Sequence, residues 1–142
     1  MTGRAESPRT AVDLLDALAV SLRAQAEAVL RSHDLTHDQW RVLERLAHGG
    51  ARTMRELGAE ARVTGPTLTR VVDRLAESAL VYRDVDAADR RRVVVHLSER
   101  GRRLHSELRP HLGRIEREAL SPLTSEEERT LGHLLTRLAT GR

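Results

Sequence analysis

Leucine, valine and alanine recur at helical spacing along most of the chain, and polar residues fill the positions between them. In residues 9–31, Leu14, Leu18 and Leu22 fall on one side of a helix, which indicates an amphipathic element. Five further helices are predicted, and each begins at or next to a serine or threonine that can cap its first turn. They cover about residues 36–48, 53–61, 64–78, 98–119 and 125–139.

The periodicity changes after residue 79. Leu80–Val85 and Arg92–Leu97 are rich in β-branched residues, which favours two strands, and the polar stretch 86–91 between them suits a hairpin connection. Tyr82, at the start of the first strand, is expected to be packed. The predicted fold is mainly α with a small β-hairpin, an α+β arrangement.

The order of these elements predicts a winged helix-turn-helix. Helices 53–61 and 64–78 meet across a tight turn, and the hairpin that follows them has the position of a wing. We therefore expect an N-terminal helix within residues 1–34, a winged unit over 35–100, and C-terminal helices over 101–142.

The first and last helices carry leucines that have no obvious cover within the winged unit. Pairing with a second copy of the chain would bury these side chains, so we expect the terminal helices to build a homodimer. The residues concerned are Leu14, Leu15, Leu18 and Leu22 in the first helix, and Leu131, Leu134, Leu135 and Leu138 in the last.

Positive charge is concentrated in the middle of the chain. All 24 basic residues are arginines, and residues 62–103 hold 10 of them against 6 acidic residues, while the flanking segments are close to neutral. A basic centre between neutral flanks indicates a polyanion partner, with nucleic acid the first candidate. Only Trp40 and Tyr82 are aromatic, which favours double-stranded DNA over single strands that stack on aromatic side chains.

The outward face of helix 64–78 provides the first candidate contacts. Pro66, Thr67, Arg70 and Arg74 lie opposite its apolar stripe, and Arg70 is suited either to a guanine edge or to a phosphate. Thr64 and Thr67 lie where free backbone N–H groups at a helix start can bind a phosphate. Two alternatives stay open at this point: Asp73 and Arg74 bond to the protein scaffold instead of DNA, or the arginines are simply a solvated helix face.

Three consecutive arginines, Arg90, Arg91 and Arg92, mark the predicted hairpin tip. Arginine at such a tip can enter a narrow minor groove, where the negative potential is strong. Charge at this place also protects the edge of a hairpin from aggregation, and the two roles are compatible.

From Leu35 to Leu104 the chain resembles the winged helix-turn-helix regulators of the MarR type. Six segments match in order at consistent spacing. They are Leu35–Leu43, Thr53–Leu57, Thr67–Leu75, Leu80–Arg83, Asp86–Arg91 and Leu97–Gly101.

The resemblance implies a homodimer whose recognition helices enter successive major grooves of a pseudo-palindromic operator, most often as a repressor. It places Thr67, Thr69 and Arg70 in the recognition helix and Asp89 to Arg91 in the wing, where Asp89 would orient Arg91 and leave Arg90 free. The complete set of DNA-binding candidates is Thr53, Thr64, Pro66, Thr67, Thr69, Arg70, Arg74, Arg90, Arg91 and Arg92.

The resemblance also implies a small-molecule effector that weakens DNA binding from a crevice between the dimerisation helices and the winged unit. Arg23, His37, Trp40 and Arg109 are the candidates for this site, and an anionic aromatic ligand would suit arginine and histidine there. Trp40 has a second interpretation, as a residue of the apolar core.

Seven histidines leave metal binding as an alternative function. Some regulators of this type bind zinc through the loop after the first helix and through the long fifth helix. Here that set would consist of His33, His37 and Asp38 with His105, Glu107 or His111. We expect no cofactor and no metal, with the histidines at the surface or hydrogen-bonded; a zinc-responsive regulator of the same fold is the alternative.

Other classes of protein find less support. There is no glycine-rich phosphate loop, no His-Glu-x-x-His motif and no nucleophile elbow, so we do not expect an enzyme. The absence of cysteine excludes thiol chemistry. No apolar run is long enough for a membrane helix and no secretory signal precedes the first helix, so a cytoplasmic protein is expected. A helical adaptor that binds protein and not DNA remains the other alternative.

Overall fold

The computed structural model describes residues 9–142, and residues 1–8 of the predicted N-terminal region lie outside this range. It confirms the predicted fold class, since the described residues form six helices and one small three-stranded antiparallel sheet. The elements are α1 (Ala11–Arg31), α2 (His37–Gly49), β1 (Arg52–Thr53), α3 (Met54–Ala61), α4 (Gly65–Glu77), β2 (Val81–Val85), β3 (Val93–Leu97), α5 (Glu99–Leu120) and α6 (Ser125–Thr140).

Most helices begin at the hydroxyl residue predicted from the sequence. Thr36, Thr53 and Thr124 each accept a hydrogen bond from the backbone N–H three residues later, and a Gln or Glu side chain there bonds back to the cap. Ser98 caps α5 through the N–H of Gly101. These local bonds fix where each helix starts, and so they position the turn between α3 and α4.

That turn is tight. Arg62 ends α3 in the left-handed conformation, at φ 53°, and Val63 is buried before α4 begins. The chain reverses within three residues, which sets α4 against α3 as in a helix-turn-helix.

The sheet has the strand order β1-β3-β2. The predicted hairpin is present, with Tyr82 opposite His96 and Val85 opposite Val93. Strand β1 was not predicted; it pairs Arg52 with Val95 and ends where α3 begins. Tyr82 was predicted to be packed, and this was wrong: it is 49% exposed and stacks on His96, because it lies on the outer face of the sheet.

Gly101, in the first turn of α5, packs against the residue that precedes the wing. A Cβ added at Gly101 would lie only 2.1 Å from the carbonyl oxygen of Leu80, so any larger residue would push the helix away from the strand. The base of the wing and the start of α5 are therefore held in close contact.

The core fills the space between the winged unit and the first half of α5. Leu43, Leu57, Leu75, Val95 and Leu108 are fully buried there. The terminal helices contribute little, since Leu30 is the only buried residue of α1 and α6 has none within the single chain. Across residues 9–142, no helix has the length and apolar character that crossing a membrane requires.

Candidate nucleic-acid interface

Helix α4 has one buried and one open face. Leu68, Val71, Val72 and Leu75 pack into the core, and this stripe determines the orientation of the helix. The opposite face contains the predicted contact residues. Pro66, Thr69, Arg70 and Arg74 are exposed, and Thr67 is half-buried.

The first turn of α4 keeps free hydrogen-bonding groups. Thr64 is the N-cap residue, yet its side chain makes no capping bond, and Pro66 follows in the first turn. The hydroxyl of Thr69 donates to the carbonyl oxygen of Gly65 at 3.2 Å, so this side chain is used within the helix. Unpaired N–H groups and the Thr64 hydroxyl are what an anion binds at a helix start.

An ion pair links α4 to the wing. The Arg83 guanidinium on β2 donates to Asp73 Oδ1 at 2.5 Å. For Asp73, the structure therefore favours a bond to the protein scaffold over a contact with DNA. Within residues 9–142, Arg70 and Arg74 form no ion pair with an acidic side chain.

The wing tip has an internal arrangement of charge. Asp89 Oδ1 accepts the backbone N–H of Arg91 at 3.0 Å and lies 3.5 Å from the Arg91 Nε. This is the pairing that the family resemblance implied. Arg91 is still 94% exposed in its side chain, and Arg90 has no acidic partner in the described part of the chain. The backbone N–H of Asp86 donates to the carbonyl of Arg92, and the N–H of Arg92 donates to the carbonyl of Asp89, which closes the loop. All three arginines are exposed.

Thr53 connects the sheet to α3. It ends β1, is half-buried, and its hydroxyl accepts the backbone N–H of Glu56 at 3.2 Å. In return, hydrogen bonds from the Thr53 backbone and side chain lower the pKa of Glu56. The backbone N–H and the hydroxyl of Thr53 are therefore both engaged in the cap of α3.

The four predicted effector residues are divided between two places. Arg23 of α1 lies near His37; burial of His37 is the main cause that lowers its pKa, and the charge of Arg23 adds to it. Trp40 is buried and stacks on His105, with 5.0 Å between ring centroids. Arg109 approaches Glu44, with 3.4 Å between Nε and Oε1.

A cleft of about 480 Å³ lies beside these residues, between the α1–α2 turn, the end of α4 and the start of α5. None of the four predicted effector residues lines it. Arg100 and Arg103 do, together with the apolar side chains of Leu35, Leu75 and Leu104. Sequence reasoning missed these two arginines, although they lie in the basic segment 62–103.

The structure also regroups the histidines. His33 Nε2 lies 3.5 Å from Glu107 Oε1, but the alternative zinc set, His33, His37 and Asp38 with His105, Glu107 or His111, does not converge as a metal site within residues 9–142. Within the same residues, His105 of that set converges instead with Glu44 and His48. The spacing of Glu44 and His48, four residues apart on one helix, was the available indication in the sequence.

Comparison with known proteins agrees with this geometry. The MarR family model matches residues 33–92, which include the helix-turn-helix and the wing tip. The homoprotocatechuate degradative operon repressor of Escherichia coli is 27% identical over 127 residues, 84% of this chain and 86% of the repressor.

Two solved structures extend the likeness over nearly the whole chain. S. aureus MepR bound to DNA has a TM-score of 0.83 and 25% identity, and the alignment covers 94% of this chain and 99% of MepR. BpsR of Bordetella bronchiseptica, whose DNA binding is regulated by 6-hydroxynicotinic acid, has a TM-score of 0.83 and 26% identity, covering 96% and 98%. These similarities identify a DNA-binding winged helix-turn-helix transcriptional regulator of the MarR type, and the similar proteins are regulators rather than enzymes.

Proposed function

We propose that the protein is a homodimeric repressor that binds a pseudo-palindromic operator and is released by a small aromatic carboxylate. The observation that carries the dimer is the apolar surface left open on the terminal helices. Leu14 is 52% exposed and Leu138 is 73% exposed in the single chain. Contiguous apolar surface of this kind is stabilised by association, at roughly 25 cal/mol for each Å² removed from water.

The dimer gives each part of the chain a role. Residues 1–34 and 101–142 hold the two copies together, and residues 35–100 contact DNA. Two α4 helices separated by about 34–36 Å would enter successive major grooves on one side of the duplex.

Within each half-site, α4 provides the sequence-specific contacts. Arg70 is exposed and without an acidic partner in residues 9–142, so its guanidinium is available to a guanine edge or a phosphate. Thr64 and Thr67 bind phosphate at the helix start, which fixes the position of Arg70. Thr53, Pro66, Thr69 and Arg74 complete the surface that faces the groove.

The wing provides contacts that are largely independent of sequence. Asp89 restrains Arg91, while Arg90 and Arg92 project from the same loop. We propose that this tip lies in the adjacent minor groove, where arginine binds through groove width and potential.

The effector is assigned by charge and by size. The cleft of about 480 Å³ is within the range of roughly 300–1,000 Å³ for small-molecule sites, and Arg100 and Arg103 can pair with one carboxylate. Two similar proteins support an aromatic acid, since BpsR responds to 6-hydroxynicotinic acid and the E. coli relative represses a homoprotocatechuate operon. Arg23 with His37, and Arg109 with Trp40, mark the two other proposed locations.

Footprinting on the DNA upstream of the protein's own gene tests this proposal. We expect two protected half-sites about one helical turn apart, and reduced transcription from that promoter in a purified system.

Adding 6-hydroxynicotinic acid should remove the protection, whereas its uncharged amide should not. Loss of the response in Arg103→Ala places the effector in the cleft, and loss in Arg109→Ala places it beside Trp40. A single protected half-site with a monomeric protein would contradict the proposal.

A further inference from the structure

Three potential metal ligands meet between α2 and α5, away from the elements that face DNA. Glu44 and His48 lie one turn apart on α2, and His105 lies opposite them on α5. One oxygen of Glu44, Oε1, is 2.5 Å from His48 Nε2 and 3.3 Å from His105 Nε2. The three ligand atoms all lie within 4.8 Å of one another.

We infer that Glu44, His48 and His105 form a binding site for one divalent transition-metal ion of the Zn²⁺ class. Two imidazoles and one carboxylate are a donor set that Zn²⁺ prefers, whereas Mg²⁺ and Ca²⁺ prefer oxygen ligands alone. A tetrahedral ion with ligand bonds near 2.0–2.2 Å separates its ligands by ~3.3 Å, which is close to the spacing of the Glu44 and His105 atoms.

The surroundings fix one ligand and leave the other adjustable. His105 is buried and its ring lies parallel to that of Trp40, at an interplanar angle of 8°, so its orientation is set before any ion arrives. His48 is 63% exposed in its side chain. It can therefore rotate away from Glu44 to admit an ion, and the same opening lets the ion enter from solvent.

Arg109 competes with the ion for the same carboxylate. Its Nε lies 3.4 Å from Glu44 Oε1, and its side chain is 45% exposed. Because a guanidinium repels a cation, an ion at this site displaces Arg109 toward solvent. Removing this arginine should therefore strengthen metal binding, which a purely structural hydrogen-bond network would not explain.

The fourth coordination position is left for water, since three protein ligands are present. The bound ion would connect α2 of the winged unit to α5 of the C-terminal helices. The inference does not depend on the proposed repressor function, because metal binding can be measured without DNA.

Titration of the full chain with Co²⁺ or Zn²⁺ alone tests the site, after treatment with a chelator. Co²⁺ should give the visible absorption of a tetrahedral complex, bind once per chain, and quench the emission of Trp40, the single tryptophan. Zn²⁺ should displace it and raise the unfolding temperature with increasing metal concentration.

Variants then locate the ion. His48→Ala, at an exposed position, should weaken binding by about 100-fold or more while the circular dichroism spectrum is unchanged. His105→Gln should do the same, and Arg109→Gln should tighten binding. His133→Ala, at an exposed histidine of α6, is the matched control and should leave binding unchanged. No saturable Co²⁺ binding, unchanged binding in His48→Ala, or loss in His37→Ala or His111→Ala would overturn the inference.

Discussion

The winged unit and the terminal helices both carry many leucines, but these side chains are buried in the winged unit and mostly exposed in α1 and α6. Leu43, Leu57 and Leu75 are closed off from solvent within one chain, whereas Leu18 of α1 and Leu138 of α6 are 44% and 73% exposed. The core of the winged unit is thus closed within one chain, with Leu30 of α1 and Leu108 of α5 completing it, while the rest of α1 and α6 leave apolar side chains exposed. In the proposed dimer, the part facing DNA would therefore be set by the single chain, and the spacing between two such parts would be set by association.

The largest expected effect is in the closed core. Leu57→Ala should lower the free energy of unfolding by about 2–5 kcal/mol, because it leaves a cavity among fully buried neighbours. Urea denaturation followed by circular dichroism measures this loss. The loss should be the same at every protein concentration, since the cavity forms within one chain. A loss that depends on concentration would show that this core also requires association, which contradicts the comparison.

A charge placed among the exposed leucines of α1 or α6 should disrupt the proposed dimer. Leu18→Glu or Leu135→Glu would bury an unpaired carboxylate in the proposed dimer interface, raising the dimer dissociation constant by about 100-fold or more. Sedimentation velocity shows whether the protein becomes a monomer. Val20→Glu adds the same charge at an exposed position on the opposite face of α1, among Asp16, Arg23 and Glu27, and should remain a dimer. If Leu18→Glu and Leu135→Glu also stay dimeric, α1 and α6 do not form the proposed dimer interface.

On the DNA side, Arg70→Ala should weaken binding to the operator by about 1–3 kcal/mol and reduce discrimination between operator and other sequences. Fluorescence anisotropy with labelled duplexes measures both quantities. Arg129→Ala removes an equal charge from the exposed surface of α6 and should change neither. Equal effects of the two substitutions would show that only net charge matters.

A smaller and more uniform effect is expected at the wing. Arg90→Ala should weaken binding to operator and non-operator duplexes alike, because a contact in the minor groove depends little on sequence. If Arg90 neutralises one phosphate, the slope of log affinity against log salt should fall by about 0.9. An unchanged slope would remove Arg90 from the interface.

The smallest expected effect is on the pH dependence of folding stability, through His37 at the contact between α1 and the winged unit. Burial of His37, followed by the charges of Arg23 and Arg41, lowers its folded-state pKa below the ordinary value, while Asp38 and Glu27 act in the opposite direction. The unfolded chain therefore binds more protons as the pH falls through about 6.5, and stability decreases there. His37→Gln should reduce this decrease when urea denaturation is compared at about pH 7.5 and about pH 5.5. An identical decrease in wild type and variant would contradict this assignment.

Local chemistry explains which parts of the fold were predictable. The starts of α2, α3 and α6 follow from capping residues within three positions of each other, and the buried stripe of α4 follows from its periodicity. Strand β1 has only two residues, Arg52 and Thr53, so no alternation exists to reveal it. Its partner Val95 is brought there by the tertiary fold.

The candidate sites likewise include residues that the sequence could predict and residues that only the tertiary fold brings together. Exposure of Arg70 could be predicted because it lies opposite a clear apolar stripe, and the Asp89–Arg91 contact was implied by the family resemblance. The cluster at Glu44 and His48 needs His105 from a helix far along the chain, so only the packing of α2 on α5 shows it. The cleft with Arg100 and Arg103 likewise depends on how three elements meet.

Selection from a pool of random duplexes tests the central claim most directly, because the protein itself chooses the operator sequence from the pool. A dimer that reads DNA with two α4 helices should enrich a pseudo-palindrome whose half-sites are centred about 10 base pairs apart, and Arg70→Ala should weaken that enrichment. Selected duplexes should bind at least about a thousandfold more tightly than scrambled ones at physiological salt. No enriched sequence, or a single unpaired half-site, would contradict the account.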